Sequence, residues 1–268
     1  MAIRLFATDL DGTVLIDRGV EGSHSTPRLQ AALRGVQAKG ITVCLASGRM
    51  HESIRHIGTA MGVGGPVISY NGAMLRGPAD ELWSHETLEP GLAAEVAALA
   101  QERGLPLNYY LDGVLYARKI QPWWDLYHGR TSSPMEPVDS HAGLAGRRPT
   151  KLLIHTSPEG VLALRRELEP RLAGRCQLMI TADEYLEFIP PKSDKGHALA
   201  ALAARLGLHA GEVAAAGDGW NDLGMLQWAG TGIAMASGRP DLHAHADHVV
   251  PGPEDDGLAA WVERHLLA

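Results

Sequence analysis

The sequence predicts an α/β protein: a Rossmann-like parallel-sheet core with helices on both faces, carrying an inserted α+β cap domain. Three observations predict it. Short apolar runs alternate with amphipathic segments towards both ends of the chain, those runs end on Gly, Asn or Asp, and the middle of the chain breaks the alternation. Near-continuous apolar strands are what a parallel sheet covered on both faces requires.

The elements follow in order. Residues 3–10 read as a buried strand. Thr26-Pro27 is an N-cap with proline at the first helical position, and Leu29, Leu33 and Val36 then fall on one helix face. Gly40 ends that helix. Residues 41–46 form a second strand and residues 66–70 a third, stopping at Asn71-Gly72. Far downstream Asp194 caps a helix carrying Leu199, Leu202 and Leu206, and residues 212–216 are another buried strand. Between them lie strand-like pieces at 107–111, 114–118, 152–155 and 185–189, with helical stretches at 90–103 and 158–172. Asp112-Gly113 is a hairpin signal. The aromatics Tyr109, Tyr110, Trp123, Trp124 and Tyr127 cluster in this stretch, more as domain core than as a substrate platform. Residues 129–149, rich in Pro, Ser, Gly and Arg, read as loop. The expected division is 1–80 with 190–268 as core and 81–189 as the insertion.

Composition bounds the function. A chain of 268 residues with 45% hydrophobic and 21% charged residues is ordinary for a soluble protein. The net charge of −7 gives no basic footprint for nucleic acid. Any anion site must therefore be locally positive. The two cysteines, Cys44 and Cys176, read as buried free thiols suited to a reducing cytoplasm. The N-terminal residues reach two carboxylates too soon for a signal peptide, and no run has the length of a membrane span.

In open parallel sheets ligands bind beyond the C-terminal ends of the strands. The first predicted strand ends Asp9-Leu10-Asp11-Gly12-Thr13 and the second Ser47-Gly48-Arg49. The third ends Asn71-Gly72, and the late one Gly217-Asp218-Gly219-Trp220-Asn221-Asp222. Four segments thus deliver carboxylates, a hydroxyl and small residues to one rim. Asp9 and Asp218 suit Mg²⁺, which takes one or two carboxylates completed by water and phosphate. A carboxylate such as Asp9 also attacks phosphorus and splits one hard step into two. Asp11, brought back by a turn at Gly12, suits an acid/base. Ser47 and backbone N–H groups suit phosphoryl oxygens, and Lys195 offsets the charge of Asp9 and phosphate together.

These segments, with Lys195-Gly196, resemble the four ordered motifs of the haloacid dehalogenase superfamily, over nearly the whole chain. Ala46-Ser47-Gly48-Arg49, Ser69-Tyr70-Asn71-Gly72-Ala73 and Met225 resemble its Cof-type (subfamily IIB) phosphatases. The resemblance implies a mobile C2-type cap that chooses the leaving group, and Mg²⁺. It makes Asp9 the nucleophile and Asp11 the acid/base with its carbonyl on the metal. Ser47 and Lys195 become phosphate binders and Asp218 a metal ligand, while Asp222 holds a metal-bound water with Asn221 in support. Met235-Ala236-Ser237-Gly238 lacks the asparagine such proteins carry there.

Gly12, Gly48, Arg49 and Asn71 complete the expected phosphate and substrate set. Arg49 reads equally as a substrate contact or an ion pair, and Asn71 as a turn residue or a contact. Lys192 reads as a solvated surface lysine. His243, His245 and His248 match no zinc spacing and read as exposed. The expected activity is hydrolysis of small phosphorylated metabolites, sugar phosphates first. A phosphomutase and a phospho-aspartate receiver are the alternatives.

Overall fold

The fold is described from a computed structural model for residues 2–16, 24–120, 124–125 and 134–268. Trp123 and Tyr127 lie outside these residues. The strands are β1 (Leu5–Asp9), β2 (Thr42–Ala46), β3 (Val67–Ser69), β4 (Met74–Arg76) and β5 (Leu82–His85). They continue with β6 (Leu107–Leu111), β7 (Val114–Ala117), β8 (Met135–Pro137), β9 (Lys151–His155), β10 (Gln177–Ala182) and β11 (Tyr185–Ile189). The last are β12 (Val213–Gly217), β13 (Thr231–Met235) and β14 (His248–Val250). The helices are α1 (Pro27–Ala38), α2 (His51–Met61), α3 (Pro90–Glu102), α4 (Pro158–Leu172), α5 (Lys195–Arg205), α6 (Leu223–Trp228) and α7 (Gly257–Val262). Two compact units result, Met1–Ser84 with Asp194–Ala268, and His85–Ser193.

The first unit holds an eight-stranded sheet in the order β14-β13-β12-β1-β2-β3-β4-β5. From β14 to β3 every neighbouring pair is parallel, and β4 turns back antiparallel on β3. Strand alternation divides the core between the two faces. Phe6, Val43, Leu45, Ile233 and Met235 pack with Leu33 and Val36 of α1, Ile54 of α2 and Trp261 of α7. Leu5, Ala7, Cys44, Ile68 and Ala234 pack on the other side with Leu199 and Leu202 of α5 and Met225 of α6. The sequence sets the helix starts by side chain. Thr26 accepts from Leu29 N ahead of Pro27, and Asp194 accepts from His197 N at 2.8 Å.

The second unit holds a six-stranded sheet in the order β10-β11-β9-β6-β7-β8. Its pairs are antiparallel except β7 with β8. Asp112 and Gly113 both take positive φ (52° and 79°), which a two-residue hairpin twisting with its strands demands. Leu107, Tyr109, Leu152, Ile154, Leu186 and Phe188 form one sheet face and pack with Leu92 and Val96 of α3 and Leu164 and Leu168 of α4.

Three expectations need correction. The segment read as loop at 129–149 contains β8 and a 3₁₀ turn at His141–Leu144 within its described residues. Pro137 sits in the edge strand, where the lack of an N–H costs no ladder bond. Of the three histidines read as exposed, only His245 is. His243 is half-buried with Nε2 at 3.2 Å from Met235 O, and His248 is half-buried against the Trp261 and His265 rings. Lys192 is exposed, as read. Among the described residues, no helix is long and apolar enough to cross a membrane.

Candidate active site

Parallel register brings the C-terminal ends of β1, β2, β3 and β12 to one edge: Asp9 pairs with Ala46, Ala46 with Ile68, and Thr8 with Ala216. The polar residues that follow each strand therefore meet. Asp9 ends β1 and is 4% exposed. The chain then turns tightly, with the N–H groups of Thr13, Val14 and Leu15 all donating to Leu10 O. Gly12, at φ 86°, supplies the left-handed residue that turn needs.

The Ser47-Gly48-Arg49 loop is clamped to the end of β3. Asn71 N donates to Ser47 O and Tyr70 N donates to Arg49 O, each at 3.1 Å. Tyr70 and Asn71 take left-handed φ of 51° and 56°, uncommon conformations held by this clamp. A Cβ on Gly48 would fall 2.9 Å from Asn71 Oδ1, so only glycine allows the two loops this approach. Asn71 Oδ1 in turn accepts from Asn221 Nδ2 at 3.1 Å, tying a third loop to the pair. Arg49 reaches back to the first loop. Its Nε donates to Asp11 Oδ2 at 2.8 Å and Nη2 donates to Oδ1 at 2.5 Å, a bidentate fork. Of the two roles open to Arg49, the ion pair is the one seen.

Lys195 starts α5 and is fully buried. Its Nζ donates to Asp9 Oδ1 and to Asp222 Oδ1, both at 2.6 Å. Gly196 lets α5 approach so closely: a Cβ there would fall 2.3 Å from the Gly224 backbone of α6. Asp222 uses its other oxygen as well, Oδ2 accepting from the N–H groups of Asp218 (3.0 Å) and Gly219 (2.9 Å). Its carboxylate is thus committed to Lys195 and to the loop that carries Asp218.

Sequence reasoning passed over one support of the site. The segment after β13 holds Asp218 by its backbone, with Arg239 N donating to Asp218 O at 3.0 Å. A Cβ on Gly238 would lie 2.5 Å from that oxygen. The glycine ending Met235-Ala236-Ser237-Gly238 was the available signal.

The electrostatics are lopsided. Asp9, Asp11, Asp218 and Asp222 stand against Lys195 and Arg49, an excess of two negative charges in a mostly buried site. Burial first, and then the Asp222 carboxylate, push the Asp9 carboxyl well above the usual carboxylate range, with Lys195 opposing. Burial alone would lower the Lys195 ammonium, but Asp222 and Asp9 outweigh it, and Lys195 holds its proton more tightly than a free lysine. Asp9, Asp218 and Asp222 each offer an oxygen within 4.8 Å of the others. All-oxygen donors with an excess charge of two fit a divalent hard cation.

A doubly covered parallel sheet that gathers aspartates, a buried lysine and a serine at its strand ends defines the class as a Rossmann-like α/β enzyme core. The chain belongs to the haloacid dehalogenase-like hydrolase family, whose model matches residues 6–262, and within it to the Cof type. It is similar to phosphatase YwpJ of Bacillus subtilis (strain 168), 27% identical over 292 residues covering 99% of this chain and 100% of that protein. It is also similar to the HMP-PP phosphatase of Citrobacter koseri, 29% identical over 246 residues covering 92% and 89%. A solved haloacid dehalogenase-like hydrolase from Bacteroides thetaiotaomicron superposes with a TM-score of 0.88 at 25% identity, covering 98% of this chain and 99% of that one.

Proposed function

We propose that the protein is a Mg²⁺-dependent phosphatase of small phosphorylated metabolites, sugar phosphates first, working through a phosphoryl group carried on Asp9. The observation that carries this reading is the pair of hydrogen bonds that Lys195 Nζ donates to Asp9 and Asp222, which fixes one Asp9 oxygen and leaves the other to attack. Asp9 and Asp218, with the Asp11 carbonyl, would hold the ion, which offsets the excess carboxylate charge and the phosphoryl oxygens. Asp222 orients Lys195 and the Asp218 loop and, with Asn221 in support, would help to hold the ion's water.

In the first step an Asp9 oxygen bonds to phosphorus as the ester bond to the leaving oxygen breaks, and Asp11 gives that oxygen a proton. In the second, Asp11 takes a proton from water as the water oxygen displaces Asp9. Ser47, the N–H group of Asp11 and Lys195 stabilise the phosphoryl oxygens, whereas the Gly12 N–H expected to join them donates to Leu15 O at 3.1 Å. Arg49 holds Asp11 between turnovers, and Gly48 and Asn71 keep the loops in register. The His85–Ser193 unit acts as the cap that selects the leaving group, and the two buried thiols suit a cytoplasmic protein.

Phosphate release from sugar phosphates, nucleotides and coenzyme phosphates tests this, with Mg²⁺ and with chelator. Release that needs Mg²⁺ supports the reading. Isomerised phosphate ester without free phosphate would point to a phosphomutase. A stable phosphoprotein with no ester turnover would point to a receiver.

A further inference from the structure

The loop that carries Asp218 also carries a large aromatic ring in an exposed place. Trp220 stands two residues beyond Asp218 and is 44% exposed. A single exposed tryptophan needs no explanation of its own. This one is marked by what lies on it. The Arg239 guanidinium sits over its ring, 5.7 Å from the ring centre, and the His245 imidazole meets the same ring at 6.4 Å. Arg239 Nε also lies 3.4 Å from Asp241 Oδ1, which holds the guanidinium from within its own segment. Trp220 thus touches both ends of the 239–245 segment that follows β13.

That segment is the one that meets Asp218. The Asp218 N–H donates to Asp222 Oδ2 at 3.0 Å, and the Asp218 carbonyl accepts from Arg239 N at 3.0 Å. A Cβ on Gly238 would fall 2.9 Å from both Cα and Cβ of Asp218, so the segment lies against the root of that side chain. Arg239 joins the two contacts, its backbone on Asp218 and its side chain on Trp220. A guanidinium over an indole face is attracted to it even at an exposed site. Groups that orient a ligand side chain tune the affinity of a metal site.

We infer that Trp220 and Arg239 form a clasp that positions the metal-binding carboxylate of Asp218. The clasp locks the segment after β13 to the loop after β12, and the divalent ion meets an Asp218 already oriented for it. The inference rests on the phosphatase reading for the ion. Trp220 and Arg239 are positioning residues that act through Asp218. A plain electrostatic role for Arg239 predicts the opposite sign, since removing a cation near the site would tighten a dication.

Mg²⁺ binding by calorimetry, with no ester present, tests the clasp. The proteins are the wild type, Trp220→Leu, Trp220→Phe, Arg239→Met and the Trp220→Leu/Arg239→Met double variant. Trp220→Leu and Arg239→Met should each weaken Mg²⁺ about two- to fivefold, the size of an exposed cation–π contact. The double variant should bind no more weakly than the weaker single variant, because both substitutions remove one contact. Trp220→Phe keeps a ring face and should bind Mg²⁺ more tightly than Trp220→Leu. Both side chains are exposed, so the thermal midpoint without metal should stay within about 2 °C of the wild type. Unchanged affinity in the single variants, tighter binding by Arg239→Met, or losses that multiply in the double variant would overturn the inference and leave the phosphatase reading standing. A midpoint that falls along with the affinity would make the contact a general structural tie and would also overturn it. A wild type that binds no Mg²⁺ and releases no phosphate from any ester would overturn the phosphatase reading, and this inference with it.

Discussion

Two buried lysines, one in each unit, solve the same problem differently. Lys195 is completely buried and divides its protons between Asp9 and Asp222, and Asp222 spends its second oxygen on backbone N–H groups. Lys151 is nearly as buried and pairs with Glu187, whose second oxygen is without a hydrogen-bond partner. The first arrangement ties the nucleophile candidate Asp9 and the Asp218 loop to one buried ammonium through Asp222. The second leaves a buried acceptor unpaired beside its ion pair. Buried charge is costly unless paired, so removing the two lysines should have different consequences.

The largest effect should come from Asp9→Asn. The amide keeps the volume and an acceptor for Lys195 but loses the nucleophile, so turnover should fall by at least about a thousandfold while circular dichroism stays unchanged. Lys195→Met should come next. It strands Asp9 and Asp222 in the interior, and breaking a buried pair costs about 3–5 kcal/mol, readable by denaturant unfolding. The second lysine sharpens the contrast. Replacing Lys151 and Glu187 together by Met and Leu should be neutral to stabilising by about 1–4 kcal/mol, with p-nitrophenyl phosphate turnover retained. A large loss of stability in that double variant would mean the pair is a structural tie. Gly48→Ala should cost about 1–3 kcal/mol by pushing on Asn71, a smaller effect again.

The smallest effect is a pH dependence of stability. Burial, foremost, lowers His51 in the first unit and His141 in the second. A histidine whose folded value lies below its unfolded value, about 6.5, contributes stability that is present above that value. The contribution is lost as pH falls through the folded value. The thermal midpoint should therefore drop between about pH 7.5 and 5.5, and the slope should flatten when His51 and His141 are both replaced by Asn. A midpoint that holds or rises over that range would contradict the assignment.

Much of the rim was legible because its determinants are local. Thr26-Pro27 announces α1, Asp112-Gly113 announces the β6–β7 hairpin, and Asp194 ahead of Lys195 sets the buried lysine one residue inside a helix, which separates it from the exposed Lys192. What stayed hidden depends on register and on loops meeting across the chain. Arg49 reads alike as an ion pair or a ligand contact until Asp11 is seen beside it. The left-handed Tyr70 gives no compositional sign, since bulky residues rarely adopt that conformation. β8 is a strand only because β7 offers it an edge, and its Met-Glu-Pro carries no alternation to read. Lys151 and Glu187 lie 36 residues apart and meet only through the pairing of β9 with β11.

The central claim is that Asp9 carries the phosphoryl group. Acid-quenching the enzyme during turnover of its best ester with Mg²⁺, followed by peptide mass spectrometry, tests it most directly. The account predicts a phosphorylated peptide containing Asp9, formed within the first turnover, absent with chelator and absent in Asp9→Asn. Phosphate release at a normal rate with no phosphoprotein on that time scale, or with the label on another residue, would contradict it.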